Sequence, residues 1–463
     1  MNTPIRDFVT QYAALNALRY HMPGHKGCGP LGCESLDITE ISGADVLYDS
    51  KGIIRESEAH AASLFGSART VYSCEGSSLC IRGMLYLATL YGKMQGCDRP
   101  LILAGRNAHK AFVTAAALVD FDVEWLYPEG DDSLMSCRIT ADCLERRLAS
   151  GVKPVAVYIT TPDYLGNLVD VAGLASVCHR YGVLLLVDNA HGAYLNFLPE
   201  SRHPMALGAD LCCDSAHKTL PVLTGGAYLH IGASAPAWFR ENAERGLSLF
   251  ASTSPSYLIL QSLDLANLYL ASGYRERLAT FAEAVAGLKT RLVARGFTLV
   301  GDEPLKICLD AKAYGWQGEE LAGYLAAKNV VCEFADPDYV VLMLSTDMGA
   351  DSLAHLEMIL TQVEKREAIL QAPPILPRPK TALSVRDAVM APCEELPVAD
   401  CLGRVLADYA VNCPPAVPIV VCGEVIDSEC VACLEYYGVE KCRVICPTTW
   451  AGALSNFGSL VFK

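Results

Sequence analysis

Lys218 lies in the run Asp214-Ser215-Ala216-His217-Lys218-Thr219-Leu220-Pro221, thirty residues after Asp188, which ends the apolar run Leu184-Leu185-Leu186-Val187. A lysine amine can attack an aldehyde to give a Schiff base, and a carboxylate can keep a heteroaromatic nitrogen protonated. Those are the two groups that pyridoxal 5′-phosphate (PLP), an electron sink for carbanions, asks of a protein. A buried strand just before Lys218 should lower its pKa and enlarge the neutral fraction able to attack. The bland alternative, a surface lysine in a common His-Lys dipeptide, loses weight once Asp188 and the serines below are counted with it.

Glu75-Gly76-Ser77-Ser78 precedes a predicted helix. Small residues let the backbone approach an anion, hydroxyls donate to it, and the helix start adds free amides, so a phosphate would fit. An ordinary serine N-cap is the competing reading. Ser215 and His217 are close enough in sequence to Lys218 to reach the same phosphate and ring, and His191 lies in the loop after Asp188. Arg106-Asn107-Ala108-His109-Lys110 follows another strand, which puts His109 at the edge of the site, where an imidazole can stack on a flat ring. Asp188 has no second carboxylate or histidine at metal-like spacing, so no metal is expected there.

Short apolar strands at 101–104, 155–159, 183–187, 211–213 and 227–230 alternate with helical stretches at 56–65, 78–94, 141–149 and 171–181. That alternation predicts a mostly parallel α/β sheet with helices on both faces, and ligands beyond the carboxyl ends of its strands. A helix over 256–290 would lead into a small α+β domain. The expected organisation is an arm over 1–50, a large domain over 51–290, the small domain over 291–370, a proline-rich linker over 371–380 and a C-terminal α+β domain over 381–463.

The chain has 37 basic and 52 acidic residues, and its formal charge of −15 argues against a nucleic-acid partner. Hydrophobic residues make up 52%, yet no apolar run reaches the roughly 20 residues that span a bilayer. The start shows no basic segment followed by an apolar one, so a cytoplasmic protein is expected. Twenty cysteines are scattered through the chain, most of them expected as small core residues in a reducing compartment. Cys430, Cys433, Cys442 and Cys446 have paired-thiol spacing that zinc can use, but 429–437 reads more naturally as a helix with buried thiols. Cys28 with Cys33, and Cys212 with Cys213, are weaker candidates.

The residues together resemble the ornithine/lysine/arginine decarboxylases of the aspartate-aminotransferase fold (fold type I), in a short form. The likeness runs through His21-Met22-Pro23-Gly24-His25-Lys26-Gly27, Asp37-Ile38-Thr39-Glu40, Gly43-Ala44-Asp45, Arg106 to Lys110, Asp188 to Gly192 and Ser215 to Leu220. The resemblance implies a PLP-dependent transferase-like large domain with a mostly parallel seven-stranded sheet. It makes Lys218 the Schiff-base lysine, Asp188 the partner of the pyridine nitrogen and His109 the ring-stacking residue. Gly76, Ser77, Ser78, Ser215 and His217 become the phosphate cradle, with His191 nearby. Ser252-Thr253-Ser254-Pro255 resembles the segment that reaches a neighbouring subunit's phosphate, which implies a homodimer with shared sites. Glu424 becomes the anchor for the substrate's distal cation. Ala416, Cys422 and Asn189 depart from the residues usual in the family, and the N-terminal domain of its large inducible members is not expected ahead of the arm.

The implied reaction is decarboxylation of arginine, lysine or ornithine to CO2 and a di- or polyamine precursor, with Lys218 or His217 returning a proton to Cα. Another fold type I PLP enzyme, an aminotransferase or a carbon–sulfur lyase, is the nearest rival. A catalytically silent binding protein is the more distant one.

Overall fold

The computed structural model describes residues 1–130, 136–409, 412–413 and 417–447. Pro414, Pro415 and Ala416 lie outside the described residues. The large sheet contains β1 (Arg69–Ser73), β2 (Leu101–Gly105), β3 (Asp122–Leu126), β4 (Ala156–Thr160), β5 (Leu184–Asp188), β6 (Leu211–Asp214) and β7 (Ala227–Ile231). Their spatial order is β1-β7-β6-β5-β4-β2-β3. From β6 to β3 all neighbours are parallel. β7 is antiparallel to both β6 and β1, so β1 runs in the same direction as the parallel set and its carboxyl end opens on the same edge.

Side chains two apart on a strand share a face, and β5 shows it. Leu184 and Leu186 enter one core with Cys213, whereas Leu185 and Val187 enter the opposite core with Cys212. Both faces are therefore covered, which is why these strands read as unbroken apolar runs. The adjacent Cys212 and Cys213 are core residues on opposite faces, not a pair.

The predicted helix at 256–290 is two helices, Tyr257–Ala271 and Tyr274–Ala294, broken at Gly273, whose φ is +71°. Glycine takes that left-handed conformation without steric cost. Helices Lys110–Val119 and Ala237–Ser248 and strands β1 and β3 add elements that the sequence reading did not place. β8 (Thr298–Val300), β9 (Lys306–Asp310), β10 (Phe334–Ala335) and β11 (Tyr339–Met343) form a second, antiparallel sheet. Towards the C-terminus lie two short antiparallel pairs and the helix Ser428–Tyr436, whose Cys430 and Cys433 are buried. Among the described residues no helix is long and apolar enough to cross a membrane.

Candidate active site

The carboxyl ends of β1, β2, β4, β5 and β6 converge on a cavity of about 370 Å3. Its wall includes Gly76, Ser77, Ser78, His109, Asp188, His191, Ser215, His217 and Lys218, all expected from the sequence. Asp188 is the last residue of β5, and Lys218 sits on the single helical turn Ala216–Thr219 after neighbouring β6.

Asp188 is buried, and its carboxylate accepts from the Tyr158 hydroxyl (3.0 Å), the Ala190 amide (3.2 Å) and the Cys213 thiol (3.6 Å). A carboxylate offers about four lone-pair positions. With two taken on Oδ1 and one on Oδ2, one position on Oδ2 remains for a donor in the cavity. Lys218 Nζ lies 3.1 Å from His191 Nε2. Burial lowers the Lys218 pKa, with the Asp188 carboxylate pulling the other way. His191 is pushed well below its ordinary value, first by burial and then by the Lys218 charge. Its Nδ1 is buried and has no hydrogen-bond partner among the described residues.

His109 caps the helix Lys110–Val119 by accepting the Ala111 amide on Nδ1 (3.1 Å). Burial pushes its pKa down to about 4, so at neutral pH it is an uncharged flat ring with its proton on Nε2. His217 Nδ1 donates to the Gly226 carbonyl (2.9 Å), and burial lowers its pKa too.

The phosphate end is built by the start of the helix Gly76–Met94. The preceding residue, Glu75, makes no side-chain cap, so the first-turn amides after Gly76 are left without one beside the cavity. Gly76 has φ +71° and donates its amide to Gly225 O (2.7 Å). Gly225 has φ +100°, and a Cβ there would stand 2.6 Å from the Cys74 carbonyl. Both turns need glycine to hold the chain this close. Ser215 Oγ donates to Ser77 Oγ (2.8 Å), aligning two hydroxyls at the same place. These donors and the open Asp188 position fit PLP, an anion at one end and a ring N–H at the other.

Two expected groups are not in the cavity wall. Thr253 and Ser254 are exposed on a loop whose Ser252 amide donates to Glu75 (2.7 Å), which places them at the rim. Glu424 is 1% exposed and is taken by Arg106 Nη2 (3.0 Å) and the Val421 amide (2.7 Å). Sequence reasoning also missed Tyr158, Thr160, Asp163 and Tyr164. Thr160 ends β4 and Asp163 and Tyr164 follow it, where the strand-end rule pointed without choosing residues; Tyr158, in mid-strand, looked like core.

Among the described residues the single group with three metal-capable atoms within 4.8 Å of one another is His203, Asp214 and His230, so Cys430, Cys433, Cys442 and Cys446 do not converge.

The sequence profile of the Orn/Lys/Arg decarboxylase major domain matches residues 3–292, and that of the C-terminal domain of the same family matches 363–442. The chain is 28% identical over 460 residues to an arginine decarboxylase of Bacillus subtilis, covering 92% of each. The lysine decarboxylase of Francisella novicida shares the fold at TM-score 0.77 and 17% identity, over 96% of this chain and 81% of that one. The constitutive lysine decarboxylase of Escherichia coli does so at TM-score 0.73 and 18% identity, over 96% and 82%. With its seven-stranded, mostly parallel sheet of fold type I, the chain belongs to the Orn/Lys/Arg decarboxylase family, whose members are PLP-dependent amino-acid decarboxylases.

Proposed function

We propose that this enzyme removes the α-carboxyl group of a basic amino acid, arginine, lysine or ornithine, using PLP carried by Lys218. The observation that supports it best is the meeting of Lys218, a buried Asp188 with one open acceptor position, and the uncapped helix start at Gly76 in one cavity. The names of the relatives favour arginine or lysine as substrate.

When bound, PLP supplies an aldehyde for the substrate amine and a ring that takes up the electron pair left when CO2 departs. Asp188 would hold the proton on the ring nitrogen, and His109 would lie against the ring as a neutral surface. Gly76, Ser77, Ser78, Ser215 and His217 would hold the phosphate. Lys218, with a lowered pKa, supplies the amine that carries the cofactor. Lys218 Nζ and His217 Nε2 are the two atoms proposed to return a proton to the substrate Cα. Burial weakens both as bases, which also makes their conjugate acids readier donors.

We also propose a homodimer in the cytosol. Thr253 and Ser254 would reach the neighbouring copy's phosphate, and exposed Leu249, Leu265 and Leu268 flank that segment in sequence and would be covered by the contact. Twenty scattered cysteines suit a reducing compartment.

Borohydride reduction of the holoenzyme followed by peptide mapping tests the cofactor assignment. The label is expected on the Lys218 peptide; a label elsewhere, or none, rejects it. Offering arginine, lysine and ornithine separately should give CO2 and the matching amine in equal amounts. A keto acid product would point to an aminotransferase instead.

A further inference from the structure

Among the described residues Arg106 is the largest side chain buried outright, and its hydrogen bonds reach across the sequence. Its guanidinium donates to the carbonyls of Pro418 (3.0 Å) and Ile419 (3.1 Å) and to Glu424 Oε2 (3.0 Å). It also lies over the Trp125 ring at 5.2 Å. The same Glu424 oxygen accepts the Val421 amide at 2.7 Å, closing the turn between them. That turn has no slack, because Gly423 has φ +93° and a Cβ there would stand 2.4 Å from the Leu383 carbonyl.

The two ends of this arrangement both face the cofactor cavity. Arg106 follows β2 directly and precedes Asn107 and His109, both in the cavity wall; Val417, next to Pro418, is in the same wall. Glu424 itself does not reach it, and at 1% exposure a substrate ammonium has no route to its carboxylate in this conformation. A charge pair sealed in this way is costly to break from either side, since the survivor stays buried without a counter-charge.

We infer that Arg106 and Glu424 form a clasp behind the cavity that sets Val417 against the Asn107–His109 wall, so that both are positioning residues and Glu424 does not touch substrate. The inference rests on the cavity being the PLP and substrate site. It assigns the distal cation of the substrate to a group other than Glu424.

The test compares Arg106→Lys, Glu424→Gln and the double variant as holoenzymes and as cofactor-free proteins. Each single change should lower kcat/KM roughly tenfold to a hundredfold, the scale of a displaced catalytic frame. The double variant should be no worse than the poorer single, because one unit is broken once. Inhibition by 1,5-diaminopentane and by pentylamine, which differ by one distal ammonium, should change in parallel in all three. In the cofactor-free proteins the amides of 417–424 should exchange hydrogen faster than in the wild type.

A selective loss of 1,5-diaminopentane inhibition in Glu424→Gln, absent from Arg106→Lys, would return Glu424 to the substrate and overturn the clasp. Additive single effects or unchanged exchange would overturn it as well. If the wild type releases no CO2 from any basic amino acid, the proposed function fails, while hydrogen exchange still judges the clasp. Should Arg106→Lys not fold, Glu424→Gln carries the inhibition and exchange arms alone.

Discussion

Asp188 and Asp214 end neighbouring strands, both are buried, and each takes a cysteine thiol from its own or the adjacent strand at 3.6 Å. Their remaining partners differ. Asp214 accepts from His203 (2.9 Å) and His230 (3.2 Å) on Oδ2 and from Asn189 (2.7 Å) on Oδ1, which with the Cys212 thiol fills all of its roughly four lone-pair positions. Burial alone would raise its pKa, but the two histidines hold it well below the usual carboxylate range. Asp188 keeps one position open, and that position faces a cavity. Two buried aspartates one strand apart therefore differ in spare valence: one is spent on the fold, the other is held for a ligand.

The largest contrast is expected at Lys218, on the open side. Lys218→Ala should abolish borohydride-stable cofactor labelling and reduce turnover to background, while the cofactor-free chain keeps its urea midpoint, because a buried amine with a lowered pKa does not stabilise the fold. On the closed side, Asp214→Ala strands four donors in the interior. It should cost about 3–5 kcal/mol in urea unfolding, the scale for breaking a buried ionic network from one side. If Asp214→Ala proved harmless and Lys218→Ala unfolded the chain, the comparison would be inverted.

Asp188→Asn comes next. Its remaining oxygen can keep the Ala190 amide supplied with an acceptor, and the Tyr158 hydroxyl can turn to accept from the new Nδ2, so stability should move by less than about 1 kcal/mol, yet kcat should fall roughly a hundredfold as the charge facing the cofactor is lost. His109 gives a smaller effect, visible as a pH slope. Its pKa is about 4 in the folded chain, below the ordinary histidine value. Above pH 6.5 the ring is neutral in both states and contributes nothing; as pH falls from 6.5 towards 4 the unfolded chain takes up a proton that the folded chain refuses, so stability is lost. Because the ring is only partly buried, about 2 kcal/mol is the expected size, read as the difference between wild-type and His109→Asn cofactor-free proteins across that window.

The open side was legible in the sequence because its groups are reactive types at the ends of strands whose apolar runs stand out: Asp188 after Leu184 to Val187, Lys218 after Leu211 to Cys213. The closed side was not. His203 lies in an irregular stretch, His230 inside β7 and Asp214 at the end of β6, and only the antiparallel pairing of β7 with β6 brings the last two together. Asn189 was read as a departure from a usual acidic residue; in the fold its amide is hydrogen-bonded to the carboxylate of Asp214. The missed elements have similar causes. Helix Lys110–Val119 is apolar on nearly every side and lacks a polar stripe, and β3 is an edge strand, only partly buried, whose Asp122 and Glu124 dilute the apolar signal. The pairing of Glu424 was not legible for another reason: its sequence context marks the residue but not which cation it meets, and Arg106 lies more than 300 residues away.

The smallest expected effect is none, and it bears on whether the closed cluster is a metal site. His203, Asp214 and His230 have the ligand types and proximity for zinc. The far side of the His203 ring decides against it. Nδ1 of His203 accepts the Met205 amide at 3.2 Å, which fixes the ring proton on Nε2, where it is donated to Asp214. A histidine that ligates metal through Nε2 carries its proton on Nδ1 and donates it to an acceptor. Here that proton would meet the Met205 N–H instead, two donors face to face in a buried site. Equimolar zinc or excess chelator should therefore leave the unfolding temperature unchanged and zinc absent from the purified protein by mass spectrometry. A zinc-dependent rise in that temperature, as ligand binding to the folded state alone would give, together with its loss in His203→Gln, would mean that the cluster has valence to spare and that the distinction between the two aspartates does not hold.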